Sequence, residues 1–155
     1  MPVRKAGFHF LIQIKEEKEL DIRDLPNPVR VQNPDKTTKK IQQPHIYFSH
    51  LFNSYAQAFN KQNSLTGSLF QRPFKRILIE DESYLKYLVY YIHHNPVKHG
   101  FVEDMIEYPW SSYLSVISPK NTRLKRKEVI DWFNDIENFK YFHKQEQNLD
   151  KIKNL

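Results

Sequence analysis

The chain contains no cysteine, which excludes disulfides and thiolate metal sites. Any metal would have to be held by histidine, carboxylate or amide oxygen, a donor set suited to hard ions such as magnesium or manganese. No apolar run approaches the roughly 20 residues that cross a bilayer, and no signal-peptide pattern follows Met1. The expectation is a cytoplasmic protein with no membrane partner. There is also no internal repeat. What is present is 155 residues, enough for a domain of ordinary size, with 39% hydrophobic and 14% aromatic residues. The core must therefore lean on Phe and Tyr. Lys and Arg number 24 against 18 Asp and Glu, leaving a net charge of +6. A basic surface captures polyanions, and interleaved aromatics can stack on unpaired bases.

Residue patterning predicts a mixture of strands and helices. Phe8 to Ile14 alternates, with Phe8, Phe10, Ile12 and Ile14 on one face and His9, Leu11 and Gln13 on the other, which predicts a strand. Residues 21–45 carry Pro26, Pro28, Pro34 and Pro44 around the basic run Lys36 to Lys40, and prolines remove backbone donors, so a long loop is expected. Ile46, Phe48, Leu51, Phe52, Tyr55, Ala58 and Phe59 then recur at helical spacing, and Asn63, Ser64 and Gly67 mark a turn. Phe74 to Ile79 is rich in β-formers and predicts a second strand. Arg72, Lys75 and Arg76 make it a compact basic cluster with adjacent aromatics. Acidic residues at 80–82 and a capping Asp81 announce a helix over 82–94. Its Leu85, Leu88, Val89 and Ile92 should face the core, with Tyr84, Tyr87, Tyr91 and Asn95 on an adjacent face, and Pro96 should stop it. Residues 124–144 read as one or two small helices. The fold class expected is α+β, a small antiparallel sheet with the helices of residues 46–60 and 82–94 on one face.

Four segments carry a family resemblance. They are Gly67-Ser68-Leu69-Phe70-Gln71-Arg72-Pro73-Phe74-Lys75, Ile79-Glu80-Asp81-Glu82-Ser83-Tyr84-Leu85, Tyr91-Ile92-His93-His94-Asn95-Pro96-Val97-Lys98-His99-Gly100, and Tyr108-Pro109-Trp110-Ser111-Ser112-Tyr113. In this order they resemble the REP-associated tyrosine transposases, a branch of the HUH single-strand DNA transposases, which carry a Tyr four residues before Asn-Pro-Val. The close match covers roughly residues 46–117. The resemblance implies a ferredoxin-like domain over 1–117 lacking its N-terminal strand-helix unit, followed by a helical extension over 118–155.

The resemblance also implies a chemistry, the nicking and rejoining of single-stranded DNA through a covalent phosphotyrosine. Tyr91 is then the nucleophile. A phosphotyrosine keeps the backbone bond energy, so rejoining needs no ATP. A phenol is a weak nucleophile, and a nearby divalent cation, magnesium or manganese, would activate it and polarise the phosphate. His9 matches the second histidine of the family's His-hydrophobic-His triplet, while Gly7 stands where the first belongs. The implied metal ligands are His9 and Asn95 with water. His94 is the best-placed substitute among the other histidines, although packing or capping accounts for it more simply. Arg72, Lys75, Arg76 and Lys98 are the expected phosphate contacts of single-stranded or hairpin DNA. Monomer and homodimer both remain open. Beside the active enzyme stand two alternatives: a catalytically inactive DNA-binding remnant, for which Gly7 speaks, and a scaffold with no DNA role.

Overall fold

The structure is a computed structural model and describes residues 8–19, 43–70, 75–149 and 152. Gly7, Arg72, Phe74 and most of the expected 21–45 loop lie outside those residues. The chain divides into two compact units, Ile12–Lys75 being one and the flanking residues the other.

In the first unit, α1 spans Pro44–Gln62. Proline opens it at no cost, because the N–H it lacks would be unpaired there anyway. The apolar stripe gathers at the C-terminal half, where Phe52 meets Phe70 edge-on with ring centroids 5.6 Å apart and Tyr55 stacks on Phe59 at 6.1 Å. Asn63 ends the helix, its side-chain Nδ2 donating to the Phe59 carbonyl at 2.8 Å. Ser64 and Gly67 follow with positive φ. Asn60 Nδ2 donates to the Gly67 carbonyl at 2.9 Å and closes the turn.

The second unit holds the core. Asp81 accepts from the Ser83 N–H at 2.8 Å, and a 3-10 turn at Glu82–Tyr84 leads into α2, Leu85–Lys98. The helix runs through Pro96 instead of stopping before it. Its end is set one turn later: the Phe101 N–H donates to the Pro96 carbonyl at 2.9 Å and the Gly100 N–H to Val97 at 2.8 Å. With Gly100 at φ 65, this is the Schellman pattern, which needs a left-handed residue that glycine supplies without strain. A 3-10 turn at Met105–Glu107, fixed by a capping box of Asp104 and Glu107, leads to α3 (Tyr113–Ile117), α4 (Arg126–Trp132) and α5 (Ile136–Lys144). Val89, Tyr90, Met105, Tyr113, Val116, Phe133 and Phe139 form the buried cluster. Phe139 is at its centre, fully enclosed, with Phe133 at 5.0 Å and Tyr113 at 5.7 Å between ring centroids.

The expected sheet is absent from the described residues. Among the described residues there is no strand, and α-helices with short 3-10 turns are the regular structure. The α+β, ferredoxin-like expectation is therefore wrong for them. Alternation over residues 8–11 does sort two faces, with His9 and Leu11 the partly buried side, while residues 12–14 are all exposed. Phe8 is 74% and Phe10 66% exposed, and Ile12 and Ile14 are exposed too, while Leu11 packs on the core cluster. Leu11 competes better for burial because it reaches the helical core, whereas Phe8 and Phe10 have no facing layer to enter. An alternating segment becomes a strand only if another backbone pairs with it. Residues 75–80 likewise run without a ladder, and Ile77 and Leu78 are exposed.

A chain of buried polar groups joins α2 to α5. The Phe139 carbonyl can only accept, so His143 Nδ1, 2.8 Å away, donates to it. His143 Nε2 then carries a lone pair and accepts from His93 Nδ1 at 2.9 Å. His93 Nε2 in turn accepts from the Ser112 hydroxyl at 2.8 Å. Every polar atom of the chain is satisfied with both rings as neutral tautomers. Burial is the main cause that lowers His93 to about 3 and His143 to about 4. Mutual repulsion adds to the effect on His93.

Two outcomes follow from this core. The unfolded chain protonates these histidines below about pH 6.5 while the folded chain does not, so stability is full above that value and falls as the pH drops towards 4. By pH 5 the loss is about 2 kcal/mol for each histidine, seen as a lower urea midpoint at pH 5 than at pH 7. An NMR titration showing either imidazole protonating near 6.5 in the folded protein would overturn the arrangement. Separately, Phe139→Ala should destabilise by about 3–5 kcal/mol through the cavity it leaves, read from the same urea curves.

Candidate functional site

The face of α2 that carries Tyr91 is set by what the opposite face buries. Val89, Tyr90 and His93 turn towards α5 and the 105–116 segment, which leaves Tyr91 half-exposed and Lys98 exposed. Residues 91, 95 and 98 follow at helical spacing, so their positions lie one turn apart. The segment before the core brings in His9. Its ring meets Tyr91 edge-on, with centroids 5.2 Å apart at 77°. The Lys98 ammonium lies 5.3 Å from the Tyr91 ring centroid, in range for a cation–π contact.

This cluster is neutral or positive throughout. Partial burial lowers the His9 pKa first, and the charges of His99 and Lys98 lower it further. His9 is thus a neutral imidazole with a lone pair to offer, next to a phenol and a fixed ammonium. A phosphate would find one positive charge here.

Asn95 is buried on the same helix, and its Oδ1 has no hydrogen-bond partner. His94 stacks on Tyr90 at 5.1 Å and 12°, and its Nδ1 is also buried without a partner. Burial is the chief cause that lowers its pKa. These orphaned acceptors raise the question of a cation. Magnesium takes mostly oxygen donors and normally one or two carboxylates. His9 and Asn95 are two neutral donors, the Asn95 oxygen is closed off from solvent, and the Lys98 ammonium repels a second cation. No group of three His, Asp or Glu among the described residues could hold a metal ion. The expected pair His9 and Asn95 does not fit a divalent ion in this arrangement.

Of the other expected DNA contacts, two lie among the described residues. Lys75 and Arg76 are exposed on the segment without regular structure and fall in different units. Arg72 lies outside the described residues. Two features escaped the sequence reading. Trp110, inside the Tyr108–Tyr113 motif, is 84% exposed, while its neighbours Ser112 and Tyr113 are structural. Lys120, Arg123, Lys125, Arg126 and Lys127 put five cations into eight residues, a denser run than 72–76. Simple charge counting in a sliding window finds it.

The electrostatic account of His9 can be checked directly. Its imidazole should titrate below 6.5 in an NMR pH series, and Lys98→Ala should move the midpoint upward by removing a repelling charge. A midpoint at or above 6.5 that ignores Lys98 would place the two groups apart.

Comparison with known proteins gives one partial likeness. The chain is 33% identical over 84 residues to a protein of Haemophilus influenzae that carries the name REP-associated tyrosine transposase. The likeness takes in 53% of this chain and 48% of that protein. The chain thus spans about half the length of the curated relative it matches. No family model matches the chain, and no solved structure does. What the likeness supports is a distant, partial kinship with REP-associated tyrosine transposases.

Proposed function

We propose that the chain is a transposase-type protein that holds single-stranded or hairpin DNA against the Tyr91 face of α2. The observation that carries this reading is the Tyr91 cluster: a half-exposed phenol flanked by a neutral imidazole and an ammonium. Its partial likeness to a protein named as a tyrosine transposase supports the same reading. Lys98 gives a phosphate its counter-charge, and Trp110 is an exposed ring on which an unpaired base can stack.

In the active form of this reading, the Tyr91 hydroxyl oxygen attacks a DNA phosphorus. A new O–P bond forms, the P–O bond to one side of the strand breaks, and that strand leaves with a hydroxyl end. Neutral His9 can take the phenolic proton and pass it, through water, to the departing oxygen, which becomes the hydroxyl end; rejoining runs the transfer in reverse. Lys98 offsets charge gathering on the phosphate oxygens. The second reading is a catalytically silent DNA-binding remnant. It is favoured by the poor fit of His9 and Asn95 to a divalent ion and by Gly7 in the sequence.

One assay separates the two. Labelled hairpin oligonucleotides are incubated with the protein, with and without magnesium or manganese, and run on a denaturing gel. The active form gives a protein-linked band that Tyr91→Phe abolishes, since phenylalanine has no oxygen to attack with. A band that persists in Tyr91→Phe would falsify the nucleophile assignment. DNA binding with no band in the unaltered protein selects the remnant.

A further inference from the structure

We infer that the loop of residues 118–127, with the apolar hollow beside it, is a second contact site for single-stranded nucleic acid, phosphates lying on the loop and one unstacked base in the hollow. The inference rests on the DNA reading above and adds a site away from the Tyr91 cluster. Charge is the first observation. Within residues 118–128, five cations (Lys120, Arg123, Lys125, Arg126, Lys127) face one acid (Glu128), so four of the chain's six net positive charges sit in this short stretch. Lys125 is held by Glu128 at 2.7 Å. Lys120, Arg123 and Lys127 are exposed.

The loop has a defined shape. Arg126 donates to the Ser118 carbonyl and, through Nη2, to the Lys120 carbonyl at 3.0 Å. One planar guanidinium therefore ties both ends of the turn. The Ser118 hydroxyl accepts from the Lys120 N–H at 3.2 Å, and Thr122 Oγ1 accepts from the Leu124 N–H at 3.2 Å. Arg126 is thus a positioning residue, and its neighbours present the charge.

The hollow is the second observation. It measures about 360 Å³ and is lined by Ile117, Pro119, Ile130 and Ile136, with Arg126 and Lys127 on its wall. That volume lies within the roughly 300–1,000 Å³ of ordinary ligand pockets. Leu124 is exposed on the same loop. An apolar wall with cations beside it suits a flat apolar group attached to an anion, which is what a nucleotide offers. The lining is almost free of side chains able to read a base edge, so binding should tolerate any sequence. A base reaches such a hollow only from an unpaired strand, so duplex should bind less well.

The test measures affinity of the full chain for labelled oligo(dT) across a salt series, with a duplex of equal length beside it. For single strands each phosphate contact contributes about 0.7 to the slope of log affinity against log salt. The triple variant Lys120→Ala, Arg123→Ala, Lys127→Ala should lower the slope by about 2, so a fourfold rise in salt costs the unaltered protein about 16-fold more affinity than it costs the variant. These side chains are exposed, and circular dichroism checks that the variant folds. Photo-crosslinking with 4-thiothymidine should mark the peptide of residues 116–130. An unchanged slope, equal affinity for duplex, or crosslinks confined to other peptides would overturn the inference while leaving DNA binding intact. No binding by the unaltered protein at low salt overturns the DNA reading itself, and this inference falls with it.

Discussion

The contact on which the second unit depends is the hydrogen bond between His93 and His143. It joins α2 to α5 in the middle of the aromatic core, and its partners on either side, Ser112 and the Phe139 carbonyl, extend it into a single directed chain. Two imidazoles at 2.9 Å can share one proton but cannot both carry two. Burial disfavours even one charge on the pair, and the surrounding Phe133, Phe139, Tyr113 and Tyr90 rings supply the low-dielectric environment that keeps both rings neutral. The buried Val89 and Tyr90 and the directed chain together fix the rotation of α2, and with it the side on which Tyr91 emerges.

This explains why helices were readable in the sequence and the sheet was not. A helix satisfies its own backbone, so apolar spacing within one segment is enough to announce it. Ile46 to Phe59 and Leu85 to Ile92 carry that spacing and fold accordingly. A strand depends on a partner that local alternation does not identify. Phe8, Phe10, Ile12 and Ile14 alternate as a buried strand would, yet Leu11 and His9 are the side chains that turn inward. The end of α2 misled for a related reason. Pro96 disfavours helical angles in the residue before it, but that penalty is smaller than what Gly100 and the buried Pro96 ring contribute by carrying the helix one turn further.

The functional residues were legible to unequal degrees. The spacing of Tyr91, Asn95 and Lys98 is a property of one helix and follows from the sequence. The approach of His9 to Tyr91 is not: it joins segments more than 80 positions apart, and only the family resemblance suggested it. The histidines were harder still. His93 ranked below His94 as a substitute ligand, and nothing in the sequence ties it to His143, 50 residues away. Ser112 and Tyr113, which resemble part of a family motif, turn out to hold the core: Ser112 bonds His93 and Tyr113 stacks on Phe139.

In the proposed reading, charge is what would distinguish a DNA-holding surface from a cation-holding one. Magnesium is usually bound through one or two carboxylates, and the Tyr91 cluster offers an ammonium and neutral rings instead. A phosphate has the opposite requirement, which Lys98 meets directly and which the 118–127 loop meets with several cations. Both surfaces sit on the unit whose core is tied by the histidine chain, and both put positive charge next to apolar or aromatic area: Tyr91 in one case, the Ile117–Ile130 hollow in the other. That pairing is the chemistry of an unpaired nucleotide, an anion joined to a flat ring. Recognition of that kind requires no metal, so in the proposed reading a strand can still be held by the same surfaces where the Tyr91 chemistry is lost.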